Sequence, residues 1–381
     1  MIARFHQRLD EIPAAAWDAL SGTTDPFTTH AFLAGLERTG SLDPRAGWQA
    51  HHLGLCEGDA LVAAAPLYLK GNSHGEFVFD WSWAGAYARH GLDYYPKLLG
   101  AVPYSPVTGP RLLVGAGPDA DARRAALVEA IMGEVDRLGL SSAHLNFVKE
   151  VDTPALAAAG WLARFDWQFH WHNRGWPDFE AFLGALTAKK RKNIRHERAQ
   201  VARAGIVCEV RHGDQLDDAD WRAVHRLYQA TFDAHGNHPA LTAAFFRHLG
   251  RTMPSRVVAV LCLRGSELVA MALCLRSDDT LYGRYWGSTE DVPGLHFEAC
   301  YYQGIDYCLR HGLARFEPGA QGEHKIPRGF LPVPTRSFHF IADPAFRAAI
   351  ADVLRREALA LQRYREQLLA HSPYAERDGR A

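Results

Sequence analysis

Ionisable side chains are densest between residues 316 and 330, where the sequence reads FEPGAQGEHKIPRGF. Two carboxylates, an imidazole, an ammonium and a guanidinium stand there among glycines and prolines, which exclude a regular helix or a central strand. Ordering a loop costs conformational entropy, so a loop this rich in reactive groups is a candidate reaction site. The alternative is a solvated surface turn. Apolar runs at 313–316 and 338–341 predict buried strands that hold the loop at a sheet edge.

The side chains of this loop could transfer protons and stabilise negative charge. Glu323 or His324 could accept a proton from a nucleophile. A carboxylate in a partly dry cleft has a raised pKa, which suits a base. Lys325 or Arg328 could face negative charge that develops during a reaction, or hold a phosphate. We therefore predict Glu323, His324 and Lys325 as the catalytic group, with a salt-bridged loop clamp as the alternative.

Further residues are candidates for the wall of a substrate pocket. Aromatic residues alternate along two predicted strands, so one member of each pair is expected in the core and the other can line a pocket. His296 and Glu298 enter the helix after the strand at 280–286, where they could face the pocket or cap the helix. The predicted substrate-binding residues are Trp83, Tyr94, Tyr285, Trp286, His296, Glu298, Gln321 and Arg328.

A basic segment lies near the middle of the chain. Pro177 is expected to open a helix from Asp178 to about Ala204, and positions 189–203 carry seven Lys or Arg residues against one Glu. The spacing i, i+4, i+7 puts three arginines of this segment on one face of the helix. Such a cluster favours contact with phosphates, for which the candidates are Lys189, Arg191, Lys192 and Arg195. A solvated helix face is the alternative.

The chain contains an internal repeat with a period of a whole domain. Residues 58–65 (GDALVAAA) match residues 265–272 (GSELVAMA), and Trp17 matches Trp221 at nearly the same spacing. Downstream, the sequence at 81–85 parallels that at 284–287. Matches at nearly constant spacing indicate duplication. We predict two similar domains, residues 1–175 and 176–381.

Each half is predicted to have the same order of elements. Two helices precede a two-stranded hairpin, whose turn carries Gly58 in the first half and Gly265 in the second. A third strand follows, at 77–83 and at 280–286, and then a helix and a last strand. The apolar spacing of residues 344–369 predicts a C-terminal helix that packs on the body of the protein.

Bulk composition excludes several classes of protein. The net charge of −1 generates no global attraction to nucleic acid or membrane. The longest apolar run, 61–69, is too short to span a bilayer, and the first twenty residues lack a signal core. The six cysteines are scattered, as in a protein of a reducing compartment. No histidine group has partners at metal-ligand spacing, so we predict no metal. We expect a cytoplasmic protein, with the inner face of the membrane as the alternative location.

The chain resembles the FemAB-like predicted N-acyltransferases, which are related to the enzymes that add amino acids to peptidoglycan precursors and to the wider GNAT superfamily. The resemblance rests on four motifs: KRKNIR at 190–195, YWG at 285–287, HFE at 296–298 and GAQGEHK at 319–325. It covers nearly the whole chain. It implies an α/β (α+β) fold, a tandem pair of GNAT-like domains with mixed, largely antiparallel sheets and a C-terminal helix. It also implies an acyltransferase acting on an amine.

Two departures from the family bear on the acyl donor. The helix predicted at 178–204 is too short for the long helical arm of the peptidoglycan enzymes, which is proposed to touch transfer RNA. The run RLLVGAG at 111–117 has one residue too many for the coenzyme A signature. We expect no permanently bound cofactor, and a co-substrate that is acyl-coenzyme A (favoured) or aminoacyl-tRNA. The acceptor would be a cell-envelope amino sugar, peptide or amino lipid. The alternatives are a non-catalytic cell-wall precursor binding protein and an RNA-binding module.

Overall fold

The computed structural model describes residues 1–21, 25–234, 236–320 and 322–375. The chain forms two compact units, which contain Met1–Asp166 with Pro334–Arg363 and Trp167–Val333 with the residues from Tyr364 onward. The predicted domains, 1–175 and 176–381, differ from these units chiefly in residues 334–363, which cluster with the first unit. Among the described helices, none is both long and apolar enough to cross a bilayer.

Strands and helices are numbered separately in chain order. The strands are β1 (Ile2–His6), β2 (Trp48–Ala50), β3 (His52–Glu57), β4 (Ala60–Ala65), β5 (Leu67–Lys70), β6 (Lys97–Gly100), β7 (Ser142–Leu145), β8 (Leu162–His172), β9 (Ile206–His212), β10 (Val257–Arg264), β11 (Glu267–Arg276), β12 (Thr280–Ser288), β13 (Arg315–Glu317) and β14 (Leu331–Ile341). The α-helices are α1 (Ala14–Ser21), α2 (His30–Arg38), α3 (Trp81–Arg89), α4 (Ala120–Leu138), α5 (Thr153–Ala158), α6 (Phe179–Gly184), α7 (Ala188–Arg203), α8 (Asp218–Ala234), α9 (Ala243–Thr252), α10 (Leu295–Phe297), α11 (Gln303–Arg310) and α12 (Pro344–Ala370).

The first unit is built on the strand order β2-β5-β6-β7-β14. All neighbours in this order are antiparallel except β6 and β7, which are parallel. A small sheet, β1-β3-β4, accompanies it. Leu98 and Leu145 on the strands pack with Leu127 and Ile131 of α4 in one apolar cluster. Burial of this face supplies the main driving force for the unit.

The second unit has the strand order β8-β13-β12-β11-β10-β9. Its pairs are again antiparallel except for one parallel pair, β12 and β13. Trp171 of β8, Phe316 of β13 and Phe182 of α6 are fully buried in one large apolar cluster of this unit. Both units thus have antiparallel strands, one parallel pair and a further antiparallel strand, which confirms the tandem GNAT-like fold.

The last strand of each unit comes from the other half of the sequence. β8 follows the helices of the first half, yet it pairs with β13 of the second unit. β14 follows the loop at 316–330, yet it pairs with β7 of the first unit. This exchange explains why most of α12 belongs to the first unit, although the C-terminal helix was predicted for the second domain.

The predicted hairpins are confirmed. Gly58 and Gly265 both have φ of 59°, a left-handed conformation that glycine adopts without steric cost, between the paired strands β3–β4 and β10–β11.

The strand predicted at 77–83 is wrong, because α3 occupies Trp81–Arg89. The alternating Trp81 and Trp83 suggested a strand, but the buried pair is Trp83 and Tyr87, at helical spacing, packed with Ile350 of α12. The counterpart of β12 is instead the short strand β6. The parallel between 81–85 and 284–287 therefore does not reflect equivalent structure.

The single helix predicted for 178–204 is also wrong. It is two helices, α6 and α7, separated by residues 185–187. Asp178 caps α6 by accepting a hydrogen bond from the Ala181 backbone N–H at 2.7 Å. Thr187 is extended, with ψ of 150°, so the chain changes direction before α7 begins.

Candidate functional site

The parallel strands β12 and β13 separate after a short stretch of pairing. They pair from Thr280–Arg315 to Tyr282–Glu317, where β13 ends, whereas β12 remains paired with β11 as far as Ser288. A cavity of about 90 Å³ lies beside the unmatched part of β12. Its walls are formed by Ala272, Leu273, Cys274, Gly283, Arg284, Tyr285, Trp286, His296, Cys300, Tyr301 and Pro318. A second cavity of about 360 Å³ shares Trp286 and His296 with it, so the two adjoin.

The unmatched part of β12 contains a bulge. Leu273 pairs with Tyr285 and Cys274 with Gly283, so Arg284 is the extra residue and the strand bends there. The Arg284 side chain is buried, and burial lowers the pKa of its guanidinium. A Cβ at Gly283 would lie 3.3 Å from the Pro318 Cα, so glycine permits the close approach of the loop after β13.

A π-helical turn interrupts the helix that faces this bulge. α10 continues as a π-turn over Glu298–Tyr302 and then as α11. Such turns are uncommon and often occur at functional sites. The turn places Tyr301 on the cavity wall, and its hydroxyl forms a 2.8 Å hydrogen bond with Nε2 of His324. The exposed His324 is therefore joined to the cavity through Tyr301.

Three basic side chains in this region have lowered pKa values. Burial, with the charges of His324, Arg328 and Lys325, lowers the pKa of His296 to about 4. Partial desolvation and the charge of Lys325 lower the pKa of His324. Burial and the charge of Arg284 lower the pKa of Lys325 to about 7. Both imidazoles are therefore neutral at pH 7 and able to accept a proton.

The predicted catalytic loop contains a short 3₁₀ helix over Glu323–Arg328. Glu323 is exposed and accepts a hydrogen bond from the Tyr364 hydroxyl. Lys325 is buried, and its Nζ donates to the Gly319 carbonyl at 2.8 Å. His324 reaches the cavity through Tyr301. Gln321 lies outside the described residues.

The structure brings some of the predicted substrate-binding residues together. Tyr285, Trp286 and His296 all line the smaller cavity. Trp83 and Tyr94 belong to the first unit, where both are buried. The Tyr94 hydroxyl there donates to Asp80 at 2.5 Å, within a charged group that contains the fully buried Lys97.

Glu298 and Arg328 are held by other side chains of the second unit. Arg198 donates to both carboxylate oxygens of Glu298, at 3.0 and 3.1 Å, and Gln303 donates to one of them at 2.7 Å. Arg328 donates to Glu197 at 2.6 Å, and its guanidinium lies 3.3 Å from the centre of the Phe297 ring. Both side chains thus stabilise the helix that carries His296 and Tyr301.

The arginines of α7 are engaged within the protein. Arg191 donates to the carbonyls of Leu183, Gly184 and Leu186 at 3.3–3.4 Å, and so it caps the end of α6. Arg195 pairs with Glu180 at 2.5 Å. Arg191 therefore packs on α6, whereas Arg195 and its carboxylate partner are both exposed.

The lysines of α7 lie at the protein surface or line a cavity. Lys189 and Lys192 are exposed. Lys190 and Asn193, one helical turn apart, line a cavity of about 220 Å³ that also contacts Glu197, Tyr302 and Arg328. Lys189, Lys192 and Arg195 are exposed, so an external anion could reach all three side chains.

The sequence analysis did not select Tyr301, Lys190, Glu290 or Asp291. Tyr301 lines the smaller cavity, Lys190 lines the cavity beside α7, and the two acidic residues line the larger cavity. The sequence predicted only a helix for the segment that contains Tyr301, and the π-turn over Glu298–Tyr302 was not readable from it.

The described fold agrees with the comparisons with known proteins. The profile of the FemAB-like family, described as peptidoglycan biosynthesis/recognition, matches residues 8–376. The chain belongs to the FemAB-like family. This membership supports an acyl or aminoacyl transferase of cell-envelope synthesis. A search of curated protein sequences gives no match.

Solved structures with low sequence identity have a similar fold. The C-terminal domain of a putative lysylphosphatidylglycerol synthetase from Agrobacterium fabrum is 14% identical, with a TM-score of 0.52 over 89% of this chain and 94% of that chain. FemX is 11% identical, with a TM-score of 0.52 over 92% and 100%. L-PGS from Bacillus licheniformis is 10% identical, with a TM-score of 0.50 over 88% and 98%. At these identities the likeness concerns the fold alone.

Proposed function

We propose that the second unit transfers an aminoacyl group from an activated ester to the amine of a cell-envelope precursor, beside the bulge of β12. The observation that carries this proposal is the cavity between the separated strands, with Tyr301 on its wall and His324 behind Tyr301. Acyl transfer to an amine needs a proton acceptor, a site for the oxyanion and a held geometry. The cavity supplies a candidate for each.

The proton of the acceptor ammonium leaves through Tyr301. The Tyr301 oxygen accepts it while the hydroxyl proton passes to Nε2 of His324, which is exposed and releases it to water. Burial raises the pKa of Tyr301, so the phenol acts as a relay rather than as a phenolate base. His296 also lines the cavity, but its pKa of about 4 makes it the weaker base.

The oxyanion is stabilised by two positive charges, Arg284 at the bulge and Lys325 in the loop after β13. Lys325 and Arg284 are both buried, and each has its pKa lowered. An anionic oxygen in the cavity would favour the protonated form of Lys325, because an opposite charge nearby raises a lysine pKa. The electrostatic stabilisation from protonated Lys325 would therefore be greatest when the tetrahedral intermediate forms.

The loop after β12 bears on the identity of the donor. Glu290 and Asp291 line the larger cavity, just before α10. Glu290 pairs with Arg264 at 2.5 Å, which leaves Asp291 to supply the net negative charge. This charge opposes the pyrophosphate of acyl-coenzyme A and favours the α-ammonium of an aminoacyl ester. We therefore favour aminoacyl-tRNA, with phosphate contacts from Lys189, Lys190 and Lys192, and keep acyl-coenzyme A as the second candidate.

The test offers the purified full chain two donor types with a peptidoglycan precursor as acceptor. Transfer from isotope-labelled aminoacyl-tRNA is followed by mass spectrometry, and transfer from acyl-coenzyme A by thiol release. We expect aminoacyl transfer that is lost in Tyr301→Phe. Thiol release alone would replace the donor assignment. If the chain binds the precursor but transfers no group from either donor, the proposal of an enzyme is wrong and a precursor-binding protein replaces it.

A further inference from the structure

Two cysteines face each other across neighbouring strands of the second unit. Cys208 of β9 is directly paired with Cys262 of β10, and their Sγ atoms are 3.2 Å apart. Both are free thiols. Cys208 is half-buried on β9, the terminal strand in the order of this unit, whereas Cys262 is fully buried. One member of the pair is thus accessible to a reagent and the other is held against it.

We propose that Cys208 and Cys262 are a reversible oxidation site, which forms a disulfide by exchange with a low-molecular-weight disulfide of the glutathione type. The Cys208 thiolate attacks one sulfur of the reagent, and the reagent's sulfur–sulfur bond breaks to release one small thiol. The Cys262 thiolate then attacks Sγ of Cys208 and displaces the second small thiol. Two protein thiols are oxidised and one small disulfide is reduced to two thiols, which carry away both protons.

The order of these steps follows from the two environments. The hydrogen bond with Cys208, followed by burial, raises the pKa of the Cys262 thiol, so Cys262 is a poor first nucleophile. Modification of Cys208 breaks its hydrogen bond with Cys262. The principal cause of the raised pKa of Cys262 is then gone. Cys262 is then better able to ionise and attack the neighbouring sulfur.

The strand geometry makes the disulfide easy to reduce. Directly opposed residues of antiparallel strands have Cβ atoms about 4.5–5.5 Å apart. A relaxed disulfide prefers about 3.8 Å. The bond would therefore be strained, and strained disulfides are the labile ones. A link of this kind is suited to reversible modification rather than to permanent stabilisation.

The experiment treats the reduced full chain with oxidised glutathione and counts thiols after denaturation. The chain has six cysteines. We expect the count to fall from six to four, a peptide pair linked through Cys208 and Cys262, and full recovery with dithiothreitol. Cys300→Ser is the matched control, because Cys300 is also half-buried but is not paired across these strands. It should start at five thiols and still lose two.

Two further variants separate the steps. Cys262→Ser should stop at a mixed disulfide of glutathione on Cys208, and Cys208→Ser should leave Cys262 as a thiol. Serine at the half-buried position 208 is the milder change and keeps the test valid if Cys262→Ser does not fold. Wild-type protein that keeps six thiols, or that accumulates glutathione on Cys208 without forming the link, would overturn the proposal.

Discussion

Replacing Tyr301 with phenylalanine removes one hydroxyl and leaves the packing of the ring. The Tyr301 ring lies 5.9 Å from the ring of Phe297 and 5.3 Å from that of Phe330, and phenylalanine preserves both contacts. The 2.8 Å hydrogen bond to His324 is lost, so a proton can no longer pass from the cavity to the exposed imidazole through residue 301. The variant therefore tests the proton relay and not the shape of the site.

The expected effect lies in kcat. Positioned acid–base groups contribute about 10²–10⁴-fold, and we expect the lower end, about 100-fold, because His296 remains as a weaker acceptor. That loss corresponds to about 2.7 kcal/mol in the activation barrier. KM should change by less than about threefold, since the ring still forms the wall. The stability cost is that of one hydrogen bond, about 1 kcal/mol in urea unfolding.

The pH profile supplies an independent readout. The relay needs a neutral His324, whose pKa lies below its ordinary value. Wild-type kcat should therefore fall as the pH drops through that lowered pKa. Tyr301→Phe should lose this acid limb together with the rate.

The assay is aminoacyl transfer under saturating donor, with His324→Ala, the double variant and Glu323→Gln measured in parallel. Residues that act as one relay give non-additive losses, so the double variant should be no slower than either single one. Glu323 is exposed and bonded to Tyr364, and Glu323→Gln should stay within about twofold of wild type as a matched loop control. Wild-type kcat in Tyr301→Phe, or losses that multiply in the double variant, would refute the relay.

Three further changes have expected outcomes. Arg198→Ala should lower the free energy of unfolding of the second unit by about 3 kcal/mol in urea, because it leaves the buried Glu298 carboxylate without its cation. Arg203→Ala, at the end of the same helix, is the control, and an equal loss of stability in that variant would contradict this account. Asp291→Asn should raise KM for an aminoacyl donor several-fold and weaken inhibition by free amines; unchanged values would remove the acidic loop from donor selection. Lys190→Ala should reduce the salt dependence of tRNA binding by about 0.7–0.9 in the log–log slope, measured by titration from low to high salt; an unchanged slope would exclude Lys190 from phosphate contact.

Local sequence patterns predicted those elements whose stability is local. Gly58 and Gly265 indicated both hairpins, because a tight turn needs a left-handed residue whatever surrounds it. The helix predicted before the last strand of the first half is α4, since apolar residues at helical spacing form one buried stripe. The strand predicted at 77–83 was wrong, because two tryptophans at alternating positions also fit a strand. The contact of Trp83 with Ile350, which favours the helix, is made only in the folded protein.

The exchange of β8 and β14 between the units could not be predicted from local sequence patterns. The sequence of a strand does not specify which strand it pairs with, because strand pairing is a long-range interaction between backbones. The arginines of α7 illustrate the same limit. Their spacing correctly indicates a shared face, but the acceptors on that face are the carbonyls of Leu183, Gly184 and Leu186 in a different helix.

By itself the sequence determined the duplicated fold and the family, and it predicted a reaction site in the loop at 316–330. Composition and periodicity are properties of the chain, and they constrain what each segment can bury. Only the tertiary structure decided which side chains meet: it left Glu323 exposed, placed Tyr301 on the cavity wall and joined it to His324. Burial and neighbouring charges, which set the pKa values of His296 and Lys325, exist only once the chain has folded.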